Sequence, residues 1–113
     1  MKRFLLLFVA TLMVATLSAQ EYSFSRDINY RTDDEYATKM CRLDIATPEG
    51  AKDAPVIVWF HGGGLTGGSK DIPQAIMRDG CVVVGVGYRF SPNVKVTQIV
   101  DDAACAVAWV FNN

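Results

Sequence analysis

The chain has 113 residues, half of them hydrophobic, with eleven basic and twelve acidic side chains and a formal net charge of −1. That length suits one small folded unit. The slightly acidic balance excludes the basic face that nucleic-acid binding requires and gives no attraction to an anionic membrane surface.

Lys2 and Arg3 precede a nearly unbroken apolar run from Phe4 to Leu17, and Ser18-Ala19-Gln20 supplies small residues for cleavage. Basic start, apolar middle and small-residue end are the three parts of a secretory leader. A run of fourteen residues falls short of the roughly 20 that span a bilayer. An uncleaved anchor or an ordinary buried helix is the alternative. The expectation is a signal peptide at residues 1–19, a folded domain at 20–113, and a secreted or periplasmic protein with no membrane association after cleavage. The leader carries two of the eleven basic residues and none of the acidic ones, so residues 20–113 carry a net charge of −3.

From Tyr22 to Arg31, Tyr22, Phe24, Ile28 and Tyr30 share one parity, which predicts a half-exposed edge strand. Thr32 to Glu35 reads as a turn, and Met40 to Ala46 nearly alternates, predicting a second strand. Thr47 to Asp53 is a loop punctuated by Pro48 and Gly50. The texture then changes: Val56 to Phe60 and Val82 to Val86 are continuous β-branched or aromatic runs. Such strands belong in a parallel sheet covered on both faces. Between them Ser69 is placed to cap a helix through Ile72, Ala75, Ile76 and Met77, ended by Gly80, which would make a βαβ unit. A second helix starts near Val96, with Val96, Val100, Ala103, Val107 and Val110 as its core-facing stripe. Asp101 and Asp102 near its start read as solvated or capping charges, and Trp59 and Trp109 as core.

These elements give an α/β fold of about four strands and two helices. An apolar strand left at a sheet edge invites aggregation, and the sequence stops directly after the second helix; the sheet is therefore expected to be incomplete, the front of something larger. Cys41, Cys81 and Cys105 are an odd number for an exported protein. Each sits in an apolar stretch, as buried thiols do, and none has metal-ligand spacing.

The most informative segment is Pro55 to Gly64, in which an apolar strand runs straight into His61-Gly62-Gly63-Gly64. Three chemistries compete for it. A phosphate-binding P-loop needs lysine followed by a hydroxyl residue, whereas Ser69-Lys70 has the opposite order. Gly62, Gly64 and Gly67 satisfy the dinucleotide pattern between a strand and a helix. No acidic ribose ligand follows, but Arg89 and Ser91 could hold the 2′-phosphate of NADP. The third is an oxyanion loop, whose amide donors stabilise the charge that develops during acyl transfer. Consecutive glycines let the backbone approach a ligand closely.

With these residues the chain resembles the N-terminal third of an α/β-hydrolase of the carboxylesterase/lipase type, near the hormone-sensitive-lipase and acetyl-xylan or feruloyl esterase branches. Leu43-Asp44-Ile45, the strand ending in HGGG, Val82 to Pro92 (VVVGVGYRFSP), and the helix from Asp101 to Trp109 carry the resemblance. It implies the N-terminal part of an α/β-hydrolase sheet. It implies that Gly63 and Gly64 donate N–H bonds to an oxyanion, with His61 and Gly62 supporting the loop. The substrate would be a small-molecule or polysaccharide-linked ester, with no cofactor and no metal. That family's nucleophile sits in G-x-S-x-G and its base histidine follows later. Neither is here: no serine lies in that pattern, and His61 is the sole histidine. The chain is therefore expected to carry the oxyanion loop without a nucleophile, acid or base, and to be inactive alone. A noncatalytic fragment or interaction module and an NADP-binding oxidoreductase half are the alternatives.

Overall fold

The computed structural model describes residues 20–78 and 80–113; the leader reading at 1–19 lies outside them. Four strands, β1 (Tyr22–Asn29), β2 (Arg42–Pro48), β3 (Val56–Phe60) and β4 (Val82–Val86), form one mixed sheet in the order β1-β2-β4-β3. β1 and β4 both run antiparallel to β2, and β3 runs parallel to β4 with Val58 opposite Val84. β1, β3 and β4 therefore finish, and β2 begins, at the same end of the sheet. Among the described residues, no helix is long and apolar enough to cross a membrane.

The single parity expected along β1 is broken by a bulge. Ser25 lies opposite Ile45 and Ile28 opposite Leu43, so three steps on β1 match two on β2. Asp27 takes the left-handed conformation there, at φ 56°, which aspartate tolerates better than most residues. The extra residue puts Ile28 on the face opposite Phe24; Ile28 packs on the core and Phe24 stays exposed.

Two boundaries change. The segment read as a turn opens a short helix, α1 (Glu35–Met40), capped by the Asp34 carboxylate, which accepts from the Ala37 N–H at 2.7 Å. Met40 consequently ends a helix, and β2 starts at Arg42. Among the described residues the crossover between β3 and β4 forms no α-helix, only a 3₁₀ turn at Gln74–Ile76, which Ser69 does not cap. Pro73 supplies no N–H and biases Ile72 towards extended backbone. Gly80 then turns at φ 71°, which leaves too short a run to propagate a helix.

The second helix, α2 (Val96–Asn112), forms as expected, with Val110 of the expected stripe on the core and Ala103 and Val107 half-buried, but its inward face is rotated away from Val96 and Val100. Ile99, Asp102 and Ala106 are its buried residues, while Val96 and Val100 are 52% and 62% exposed. Leu43, Val84, Val86 and Ala106 make the central cluster, with Ile45, Val58, Trp109 and Val110 against it. The crossover covers the other face: a Cβ at Gly85 would lie 2.3 Å from the Asp71 carbonyl oxygen. β4 is thus covered on both faces, as its continuous apolar run requires. β3 is not: at the margin of the described sheet, Trp59 is 38% exposed rather than core.

Candidate oxyanion site

The residues singled out in the glycine run lie together at the carboxyl end of β3. Gly63, Gly64 and Leu65 all have positive φ, at 136°, 63° and 63°. The loop closes on itself as the Thr66 N–H and hydroxyl both donate to the Gly63 carbonyl, each at 3.2 Å. Gly62, Gly63 and Gly64 are exposed. Among the described residues no acceptor meets the N–H of Gly63 or Gly64. Two adjacent amide donors at the end of a parallel strand, unpaired and accessible, are what an anionic oxygen needs.

His61 is buried, and its role is structural. Its ring stacks on Tyr88 with centroids 4.4 Å apart and meets Phe90 edge-on at 5.8 Å. Nδ1 lies 2.8 Å from the Gly62 carbonyl oxygen, which assigns the proton to Nδ1. Nε2 is buried without a partner among the described residues, and no carboxylate orients the ring. An enclosed imidazole lacking both an orienting acid and a nearby nucleophile does not act as a general base.

The loop is held from the neighbouring strand end. The Tyr88 hydroxyl donates to the His61 carbonyl, and burial raises its pKa, keeping it a donor. The Ser91 N–H donates to the Leu65 carbonyl at 2.8 Å. Tyr88 and Ser91 are fixed in turn through Arg89. Its guanidinium donates to the fully buried Asp102 of α2 from Nε at 2.9 Å and from NH2 at 2.8 Å, and its backbone N–H donates at 3.1 Å. Arg31 adds a further donor to Asp102 at 3.0 Å. A buried carboxylate is tolerable only with such a set of charge-assisted partners.

Asp102 is therefore neither solvated nor a cap, and the sequence reading missed it. Its signal was the spacing Ile99-Asp102-Ala106 combined with an arginine after β4. The same pairing removes the basis for an NADP site: Arg89 is enclosed by Asp102 and unavailable to a 2′-phosphate. Among the described residues no α-helix opens directly after the glycines to receive a pyrophosphate.

A second tie secures the far end of the loop. Lys70 reaches Asp27 at 2.8 Å and Asp44 at 3.2 Å, and the Asp27 N–H donates to Asp44 at 2.8 Å. The bulge on β1, the buried Asp44 of β2 and the crossover are joined at one point.

The BD-FAE family model matches residues 43–113. Probable carboxylesterase 3 of Arabidopsis thaliana is 26% identical over 111 residues, covering 87% of this chain and 34% of that protein. The carboxylic ester hydrolase LipN of Mycobacterium tuberculosis is 34% identical over 71 residues, 58% of this chain and 19% of its own. Esterase B of Lactobacillus rhamnosis superposes with a TM-score of 0.67 at 19% identity, over 81% of this chain and 31% of that structure. The chain spans about a third of the length of the first curated relatives it matches.

Proposed function

Because the chain belongs to the BD-FAE family, and its sheet is the N-terminal part of an α/β-hydrolase fold, we propose that it supplies the oxyanion side of an exported carboxylic ester hydrolase. The observation that carries this reading is the pair of unpaired, exposed amides at Gly63 and Gly64, held by Tyr88 and Ser91. In acyl transfer the carbonyl oxygen gains negative charge as a nucleophile adds. Donors already aimed at that oxygen stabilise the transition state more than the ground state. His61 and Gly62 hold the loop and move no proton. The basic-then-apolar leader at 1–19 supports export, and the substrate is a carboxylic ester, small or attached to polysaccharide.

Nucleophile and base are absent from the patterns this chain contains, so the chain alone turns over no ester. A chromogenic short-chain ester assay tests both statements. The chain should show no turnover above a Gly64→Pro control. A chimera of residues 20–113 with the remaining two-thirds of esterase B should cleave the ester and lose on the order of 100-fold with Gly64→Pro, the effect of removing one oxyanion donor. Turnover by the chain itself would overturn its inactivity. A cooperatively melting chimera without turnover would overturn the esterase reading.

A further inference from the structure

A cavity of about 340 Å³ opens at the sheet end where β1, β3 and β4 finish, sharing His61 with the glycine loop. That volume lies at the small end of the range for small-molecule sites. Its polar wall carries Lys39, Arg42 and Lys70 against a single carboxylate, Asp27, and its apolar wall carries Tyr88 and Phe90.

The charges do not cancel. Lys70 is spent on Asp27 and Asp44, and Arg26 also reaches Asp44, at 3.5 Å. Arg42 donates from Nε only to a neutral acceptor, the Thr38 carbonyl, at 3.1 Å. Among the described residues neither Arg42 nor the exposed Lys39 forms an ion pair within 4.0 Å, and Arg42 acts on Asp27 only from a greater distance. Three cations thus line the cavity against one carboxylate, in a chain whose net charge is −1. Unbalanced charge lining a concave wall concentrates ligands of the opposite sign. Arginine recognises carboxylate through two parallel N–H bonds, and aromatic rings favour a flat apolar body.

We propose that this cavity is a subsite for a planar, carboxylate-bearing group. The ester handled by the assembled site then carries a negative charge away from its scissile bond. That last step rests on the ester-hydrolase reading; binding of the anion does not, and the two fail separately.

The test titrates the full chain with benzoate and with benzamide, which match in shape and differ in charge, following backbone amides by NMR. Benzoate should shift Lys39, Arg42, Lys70 and Phe90 saturably and bind about tenfold tighter than benzamide, as a charge-assisted contact predicts. Lys39→Gln, at an exposed position, should weaken benzoate about threefold, and Lys39→Gln with Arg42→Gln about tenfold, both leaving benzamide unchanged. If the double variant fails to fold, salt serves instead: raising it from about 50 to about 500 mM should weaken benzoate alone. Equal affinity for the two probes, benzoate shifts mapping elsewhere, or benzoate binding indifferent to both Lys39→Gln and salt would overturn the proposal. None of these readouts uses ester turnover, so the chimera assay tests the hydrolase reading independently.

Discussion

Gly63 has no room for a side chain: a Cβ there would lie 2.0 Å from the Gly67 carbonyl oxygen, and its φ of 136° is closed to L residues. Gly64 has open space and only an unfavourable φ of 63°. Gly63→Ala should therefore cost about 1–3 kcal/mol through loop distortion, and Gly64→Ala about 1 kcal/mol. Urea melts of the two variants check the order; equal costs would mean the loop is looser than described. Glycine is its own signal at such positions, which is why this loop was legible in the sequence. Asp102 was not. A carboxylate near a helix start has an ordinary capping explanation, and only the placement of Arg89 reveals the other one. Cys41 is a further residue whose behaviour follows from its surroundings. Burial raises its thiol pKa to about 11, so the folded state holds that proton more tightly than the unfolded chain. Its stabilisation is complete below the unfolded value and is lost as pH climbs through the folded one. Stability should start to fall above about pH 9, and Cys41→Ala should remove the part of that fall below about pH 10, where the raised Tyr30 and Tyr88 hydroxyls do not yet contribute. At pH 8, iodoacetamide should label the half-buried Cys81 and Cys105 well before Cys41.

At the scale of elements, the strands with continuous β-branched runs were the most legible, because that composition has few other homes. α1 was missed since six residues are too few to show a period, and only the Asp34 cap announces it. The face of α2 is legible only in part, through Ala103, Val107 and Val110, because the valines at its start outweigh a buried aspartate in any reading by hydrophobicity. The same aspartate makes α2 and the end of β4 interdependent. Asp102→Ala strands the buried Arg89 charge and should cost about 3–5 kcal/mol, the range for breaking a buried pair by removing one partner. A urea midpoint measures it, and a loss under about 1 kcal/mol would show that the pair Arg89 already makes with Asp34 at 3.6 Å is enough to hold it. The crossover tie has its own pH signature. Lys70 holds the Asp27 carboxyl below the usual carboxylate range, so this contribution is present above the unfolded pKa and disappears as pH falls through the folded one. Acid should loosen the crossover at Lys70 before it melts α2, an order that amide exchange along the chain would read.

For the whole molecule, the sheet order follows from its most apolar strand. β4 is central and covered on both faces, so β2 and β3 flank it. Only one edge of the described sheet, β1, carries the protections that edges usually have: a bulge and the charged Arg26 and Asp27. β3 has neither, and its Val56, Trp59 and Phe60 are exposed. Beside it α2 exposes the valine stripe at Val96 and Val100, and a nearly apolar cavity lies among Phe60, Leu65, Ile99 and Val100. An unprotected strand next to an apolar helix face is a surface for association. The chain as it stands should therefore self-associate with rising concentration in sedimentation velocity. A lysine on the open edge acts against strand pairing without touching the cluster around Leu43. Trp59→Lys should shift the association to about tenfold higher concentration, whereas Phe24→Lys, on the guarded edge, should leave it unchanged. Equal effects from the two substitutions would mean that general hydrophobicity, and not the β3 edge, drives the contact.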